Sequence, residues 1–221
     1  ELNEIAQASG LEKGNPLRDK IERLIDLNYV RVGRNLGAKS TAALRYRVAD
    51  PAMRFFYDIV APLESALATQ NPAIIWRRHI APDLDSYMGH IFEDVVEEAY
   101  YRLLGRLDLP IIEEWGRWEG VDRNRKPLEM DIASTLIDSR VLTGAIKWNR
   151  KEIDVRVHTD HMAMLTRLGE SGVAWAHRAL DPASPLLYVA SNGFTDRFRQ
   201  AVTASRGEVY LWSLEDLYRS P

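Results

Sequence analysis

The chain has 221 residues, enough for one large domain or two small ones, and its 46% hydrophobic and 28% charged residues are typical of a globular protein. No run of 18 apolar residues could cross a membrane, and the absence of cysteine excludes disulfide bonds and thiolate metal sites. We therefore expect a cytoplasmic protein with no membrane partner. Because the sequence opens at Glu1 inside a helical pattern and without signal-peptide features, we also expect it to be part of a longer protein.

The N-terminal region has the pattern of a winged helix-turn-helix domain that lacks its first helix. Helical patterns at 3–9 and 16–27 are followed by two alternating strand patterns, 29–32 and 44–48, which a loop at 33–43 joins. The order helix, turn, helix, hairpin is typical of that fold. We therefore expect the second helix to be the recognition element and the loop to be the wing.

Positive charge is concentrated in the same region. Residues 1–48 carry nine Lys or Arg and six Asp or Glu, whereas residues 49–221 carry 20 and 26. The stretch 28–48 contains five basic residues and no acid. Such a stretch is expected either of a phosphate-binding surface or of a solvated basic loop. If it binds duplex DNA, the phosphate contacts come from the helix and the wing, through Arg18, Lys20, Arg23, Arg31, Arg34 and Lys39.

A helical connector is predicted to follow, from residue 50 to residue 82. Asp50 and Pro51 form a helix start, because aspartate is a favourable N-cap and proline is tolerated at the first helical position. Pro62 lies inside the helical pattern and is expected to kink or divide it.

The remaining chain has the pattern of a mixed α/β domain with the order α-β-β-β-α-β and additions. A long helix at 83–105 comes first, and a tight connection at 137–139 joins the second and third strands into a hairpin. The predicted elements after the first helix are strands at 109–118, 128–136 and 140–148, a helix at 158–169, a strand at 185–190, a helix at 194–204, a strand at 208–212 and a short closing helix. The predicted division of the chain is 1–49, 50–82 and 83–221.

Acidic and basic side chains converge on the predicted hairpin. Glu129 and Asp131 are two residues apart on one strand and therefore share a face, and Ala145 and Lys147 share a face of the next strand. Carboxylates are the ligands that Mg²⁺ prefers, and a neighbouring lysine can orient a water molecule and offset charge on a phosphate. Glu93, on the preceding helix, is a candidate for a further carboxylate. The alternative is an ion-pair cluster without a catalytic role, with Glu93 as an ordinary solvated acid.

Two other groups of polar residues carry weaker indications. His158 and His161 are three residues apart on a predicted helix, and because no third ligand is indicated we expect a surface pair rather than a zinc site. Arg117 and the basic residues at 123–126 are expected to decorate a loop rather than to contact phosphate.

The second domain resembles the PD-(D/E)XK nuclease fold in its α-β-β-β-α-β order, in the glutamate of GHIFEDVVEE and in the strands EMDIA and GAIKW. More narrowly, nearly the whole chain resembles the C-terminal region of archaeal-type P-loop ATPases, a poorly characterised domain-of-unknown-function family found also in bacteria. In that family a P-loop ATPase module precedes a winged helix and a nuclease-like domain. Three longer sequence segments carry this narrower resemblance: YRVADPAMRFFYDIVAP at 46–62, GHIFEDVVEEAYYRLL at 89–104 and EEWGRWEG at 113–120.

The resemblance implies roles for individual residues. It makes Glu93 the helix acid, Asp131 the central metal-binding aspartate and Lys147 the lysine of the motif, with Mg²⁺ as the metal. Ala145 stands where the family has an acid or an amide, so one metal ligand is missing unless a carboxylate such as Glu129 replaces it. The sequence contains no G-x-x-x-x-G-K-[ST] motif, so ATP is expected only in the upstream module.

Two functions are consistent with these features. The first is a DNA-binding, nuclease-like module of an archaeal-type ATPase. In this reading the module is a hydrolase, a Mg²⁺-dependent DNA endonuclease with a degenerate site. The second is a catalytically inactive interaction module that docks on the ATPase module or on a partner protein. The excess of acidic residues after residue 48 favours the second, because broad DNA-binding surfaces are usually basic. A steep dependence of DNA affinity on salt distinguishes the first from the second.

Overall fold

The computed structural model shows a mixed α/β protein, as the sequence predicts. None of the described helices is both long and apolar enough to cross a membrane. Three residues of the predicted wing, Ser40, Thr41 and Ala43, lie outside the described residues. The structure describes residues 1–39, 42 and 44–218.

Contacts divide the chain into two compact units. The first unit comprises residues 1–34 and 38–84, and the second comprises residues 35–37 and 85–221. The residues of the predicted connector therefore group with the N-terminal residues.

The first unit contains short helices and one two-stranded sheet. Both helices and both strands predicted before residue 49 are present. The second helix is amphipathic and buries Leu17 and Ile21. The elements of this unit are α1 (Leu2–Ser9), α2 (Asn15–Asp26), β1 (Val30–Gly33), β2 (Arg45–Val48), α3 (Pro51–Phe55), α4 (Glu64–Thr69) and α5 (Pro72–Ile75).

The hairpin of the first unit places arginines on one face. β1 and β2 pair antiparallel, with Arg31 opposite Arg47 and Gly33 opposite Arg45. Since side chains alternate between the faces of a strand, the three arginines share a face.

The segment after the hairpin is helical from Pro51 to Thr69, but the type of helix changes along it, because a π-helical turn, Phe56–Val60, follows α3. Asp50 caps α3 as predicted, because its carboxylate accepts hydrogen bonds from the backbone N–H groups of Ala52 and Met53 at 2.7 and 3.0 Å. Pro62 lies in a 3₁₀ turn, Ala61–Leu63, before α4 begins. The predicted interruption of the helix at this proline is therefore confirmed.

The second unit is built around a four-stranded sheet in the order β5-β6-β7-β8, and β3 and β4 form a separate antiparallel ladder. β5 is antiparallel to β6, whereas β6, β7 and β8 are parallel. The predicted turn at 137–139 joins β5 to β6. The elements of this unit are α6 (Leu84–Leu103), β3 (Trp118–Val121), β4 (Pro127–Met130), β5 (Ile132–Thr135), β6 (Val141–Lys147), α7 (Arg156–Glu170), α8 (Ala174–Leu180), β7 (Leu186–Ala190), α9 (Asp196–Ser205), β8 (Val209–Trp212) and α10 (Leu214–Leu217).

Both faces of the central strands are buried, which explains why β6 and β7 are apolar almost without interruption. On one face, Ile146 belongs to the same apolar cluster as Phe92 of α6. On the other face, Ala145 belongs to the same cluster as Phe198 of α9. The core of this unit therefore lies on both sides of β6, and β6 carries Lys147 at its end.

The strand predicted at 109–118 is wrong over most of its length. Before β3 begins, the segment makes isolated bridges, such as that of Ile112 with Leu136, instead of a ladder. Pro110 has no N–H to donate. Gly116 lies so close to β5 that a Cβ atom on it would be 2.3 Å from the carbonyl oxygen of Ala133. The segment still runs alongside β5, because the N–H of Glu113 donates to Thr135 and the N–H of Ala133 donates to Gly116, but these bonds do not form a continuous ladder.

The strand predicted at 128–136 is also wrong as one continuous element. The structure divides it into β4 and β5 at Asp131. The ladder with β6 ends there because the Asp131 carboxylate accepts the hydrogen bond of the Ile146 N–H. Helix α8, between α7 and β7, has no counterpart among the predicted elements.

Candidate functional site

Asp131 and Lys147 meet at the end of the β5–β6 ladder. The register that pairs Ile132 with Gly144 brings Asp131 alongside β6. One oxygen of Asp131, Oδ2, accepts hydrogen bonds from Lys147 Nζ at 2.8 Å and from the backbone N–H of Ile146 at 2.9 Å. The Asp131 side chain is only 12% exposed. The structure thus brings together the two residues that the hairpin pattern places on one face.

Arg117 lies within 4 Å of three glutamates of the same region. Its guanidinium hydrogen-bonds to Glu129 and lies 3.4 Å from Glu93 and 3.8 Å from Glu119. Glu119 and Glu129 are directly opposite each other in the β3–β4 ladder, where like charges repel unless a cation lies between them. The expectation that Arg117 decorates a loop was therefore wrong. Glu129 is joined to Arg117 rather than to Lys147.

Glu93 lies on α6, with its side chain 19% exposed. Its pKa is raised to about 7, mainly by burial; Arg117 opposes the increase, and the negative charges of Asp131 and Glu129 add to it. These electrostatic effects link Glu93 to both acids of the hairpin region. Near neutral pH, Glu93 therefore exchanges a proton, unlike an ordinary solvated helix acid.

Ala145 is part of the apolar core. It is 7% exposed, is paired with Tyr188 of β7, and belongs to the same buried cluster as Phe198. A carboxylate at this position would be buried among apolar and aromatic groups, which is costly without a partner. The position at which the resemblance implies a metal ligand thus has a packing role in this chain.

The residues of this region do not fit a divalent cation. Among residues 1–39, 42 and 44–218, no group of three or more His, Asp or Glu side chains is arranged to hold a metal ion. One oxygen of Asp131 is already shared by two donors, and Arg117 occupies the space between Glu93 and Glu129. The carboxylates that Mg²⁺ would need are therefore neutralised by the cations of the chain itself.

His158 and His161 are buried, so the expectation of a surface pair was wrong. His158 Nδ1 is hydrogen-bonded to the hydroxyl of Tyr188 at 2.8 Å, and His161 Nε2 to that of Thr143 at 3.1 Å. Burial lowers the pKa of His161 to about 3, so its imidazole is neutral. The three-residue spacing was a sign of burial, because it places both histidines on the same face of α7 as the buried Leu165.

The basic residues predicted to bind DNA lie in the first unit, and their side chains are all exposed. None of them has a carboxylate partner among the residues that the structure describes. Their positive charge is therefore available to an external anion. The six are Arg18, Lys20 and Arg23 on α2, Arg31 on β1, and Arg34 and Lys39 in the following loop.

Comparison with known proteins gives one match. Residues 56–158 match a family model, DUF234, described as archaeal and bacterial proteins of unknown function. The matched region contains Glu93, Arg117, Glu129, Asp131 and Lys147, and it begins after the six basic residues predicted to bind DNA. No curated protein and no solved structure matches the chain.

Proposed function

We propose that the chain is the DNA-binding, nuclease-like C-terminal module of an archaeal-type P-loop ATPase, and that it binds duplex DNA without cleaving it. The observation that carries the proposal is the set of six exposed cations in the first unit, none of which is paired with a described carboxylate. Exposed Lys and Arg side chains without internal partners are the groups that contact DNA phosphates. ATP would be bound only by the upstream module.

The proposed DNA contacts come from both the helix α2 and the hairpin of the first unit. α2 is the proposed recognition helix in a winged-helix arrangement, and the loop after β1 is the proposed wing. Arg31 lies on the hairpin face that also carries Arg45 and Arg47. Charges gathered on one face follow a phosphate backbone better than charges spread around the unit.

The second unit is proposed to be a nuclease-like domain that does not act as a hydrolase. Asp131 and Lys147, which the resemblance makes the metal-binding aspartate and the lysine of the motif, are engaged with each other, and Arg117 contacts Glu93 and Glu129. Cleavage with Mg²⁺ would require Arg117 to leave these carboxylates. The buried Ala145 adds no ligand.

The binding test is the salt dependence of affinity for a labelled DNA duplex, measured by fluorescence anisotropy. The double variant Arg31→Glu with Arg34→Glu should weaken binding at least tenfold and reduce the slope of log affinity against log salt by about 2. The matched control is Arg178→Glu with Arg197→Glu, which reverses two exposed arginines of the second unit. Equal affinities for the two double variants would contradict the proposal.

A second candidate function is docking on the ATPase module or on a partner protein. It is favoured by exposed aromatic side chains after the hairpin: Phe56 is 47% exposed, Tyr57 62% and Trp76 45%. Large exposed aromatic groups are typical of protein interfaces. If Tyr57→Ser with Trp76→Ser abolishes binding to the separately expressed ATPase module while DNA affinity is unchanged, docking is a function of this segment.

A further inference from the structure

We infer that Arg117 is a built-in counter-ion that takes the place of a metal ion in the second unit, so that this unit holds its carboxylates without any divalent cation. The inference goes beyond the proposed function, because it concerns Arg117 and stands whether or not the first unit binds DNA.

Arg117 links separate elements in the way that a metal ion would. Its guanidinium lies 3.4 Å from Glu93 of α6 and contacts Glu129 of β4, and Glu119 of β3 is 3.8 Å away. The side chain is 34% exposed, so much of this cation is withdrawn from solvent. The planar guanidinium has several donors and can serve two carboxylates at once.

The carboxylates require a cation at this place. Glu119 and Glu129 are opposite each other across the β3–β4 ladder, and Glu93 adds a third acid from the helix. Carboxylates gathered in this way repel one another unless a positive charge lies between them. Arginine remains charged at every pH at which proteins fold, so this counter-ion does not depend on the supply of metal.

The remaining acid of the region has its own cation. Asp131 pairs with Lys147 at 2.8 Å and also accepts the N–H of Ile146. Glu93, Glu129 and Asp131 are thus each in contact with a basic side chain of the chain itself. A divalent cation would have to displace Arg117, and the resulting loss of an arginine–carboxylate pair opposes its entry.

The test compares thermal unfolding of the wild type and Arg117→Met in EDTA and in millimolar MgCl₂ or MnCl₂, at constant ionic strength. The wild type should melt at the same temperature in all three solutions. Arg117→Met should melt about 5 °C lower in EDTA and should recover at least half of that loss in Mg²⁺ or Mn²⁺. The matched control is Arg123→Met, which removes an exposed arginine 3.8 Å from Glu170 and should show neither effect.

Several results would overturn the inference. A wild-type melting temperature that rises saturably with Mg²⁺ would show that the folded protein binds the metal although Arg117 is in place. An Arg117→Met variant as stable as the wild type in EDTA would show that the carboxylates need no cation. A destabilised variant that metal leaves unchanged would show that arginine and metal are not equivalent. If Arg117→Met does not fold, Mn²⁺ titration of the wild type followed by electron paramagnetic resonance decides, since saturable binding contradicts the inference and its absence supports it.

Discussion

In the first unit, Arg31, Arg34 and Lys39 are exposed and have no carboxylate partner among the described residues, whereas in the second unit Arg117 and Lys147 are both bound to carboxylates. The same residue types therefore serve opposite purposes in one chain. Unpaired cations attract an external anion, and paired cations hold the fold around them. Overall charge cannot show this difference, which depends on where the acids lie.

The largest expected effect comes from removing an acid of the second unit. Asp131→Ala would remove a carboxylate that is only 12% exposed, and would leave the N–H of Ile146 without its acceptor and the Lys147 ammonium without its partner. We expect a loss of about 3 kcal/mol in the free energy of unfolding, measured by urea denaturation. Asp131→Asn keeps an acceptor oxygen and should lose less. A change below about 0.5 kcal/mol for Asp131→Ala would show that the pair does not support the fold.

The next effect is a dependence of stability on pH, caused by Glu93. Its pKa is raised from 4.5 to about 7 in the folded protein. Between these values the folded state keeps a proton that the unfolded state has lost, so stability falls as the pH rises through this window. The glutamine of Glu93→Gln cannot ionise. Over the same pH range, the free energy of unfolding of this variant should therefore fall by about 2 kcal/mol less than that of the wild type.

The control for Glu93 is Glu98→Gln, an exposed acid on the same helix, which should follow the wild-type pH profile. Urea denaturation at closely spaced pH values between 4.5 and 8 gives the comparison. Parallel profiles for Glu93→Gln and the wild type would mean that Glu93 is not withdrawn from solvent as the structure indicates.

The smallest effect is expected in the first unit. Arg31→Gln removes a cation that faces Arg47 across the hairpin and has no described carboxylate partner. We expect the free energy of unfolding to change by less than about 0.5 kcal/mol, because the lost charge had no favourable internal contact. A loss comparable to that of Asp131→Ala would remove the distinction between the two units.

The sequence predicts the secondary structure of the second unit well where the pattern is local. Helix α6 follows from its apolar periodicity, and β6 and β7 follow from their apolar runs. The meeting of Asp131 with Lys147 was also predictable, because a short turn fixes the register of the hairpin and side chains alternate along a strand.

The role of Arg117 was not predictable in this way. It depends on how β3 pairs with β4 and on how both approach α6, and no local pattern determines these arrangements. The strand predicted at 109–118 ends before Glu119, so the prediction does not place Glu119 opposite Glu129. The break at Asp131 arises similarly from a side chain that takes a backbone N–H from β6.

The measurement that tests the central claim most directly is incubation of the purified, folded protein with labelled single- and double-stranded DNA and Mg²⁺ or Mn²⁺, beside Lys147→Ala. The account predicts that the wild type retains the duplex in a salt-dependent manner and that neither protein cleaves any substrate. Cleavage by the wild type that disappears in Lys147→Ala would contradict the account. It would show that a metal ion displaces Arg117 from the carboxylates.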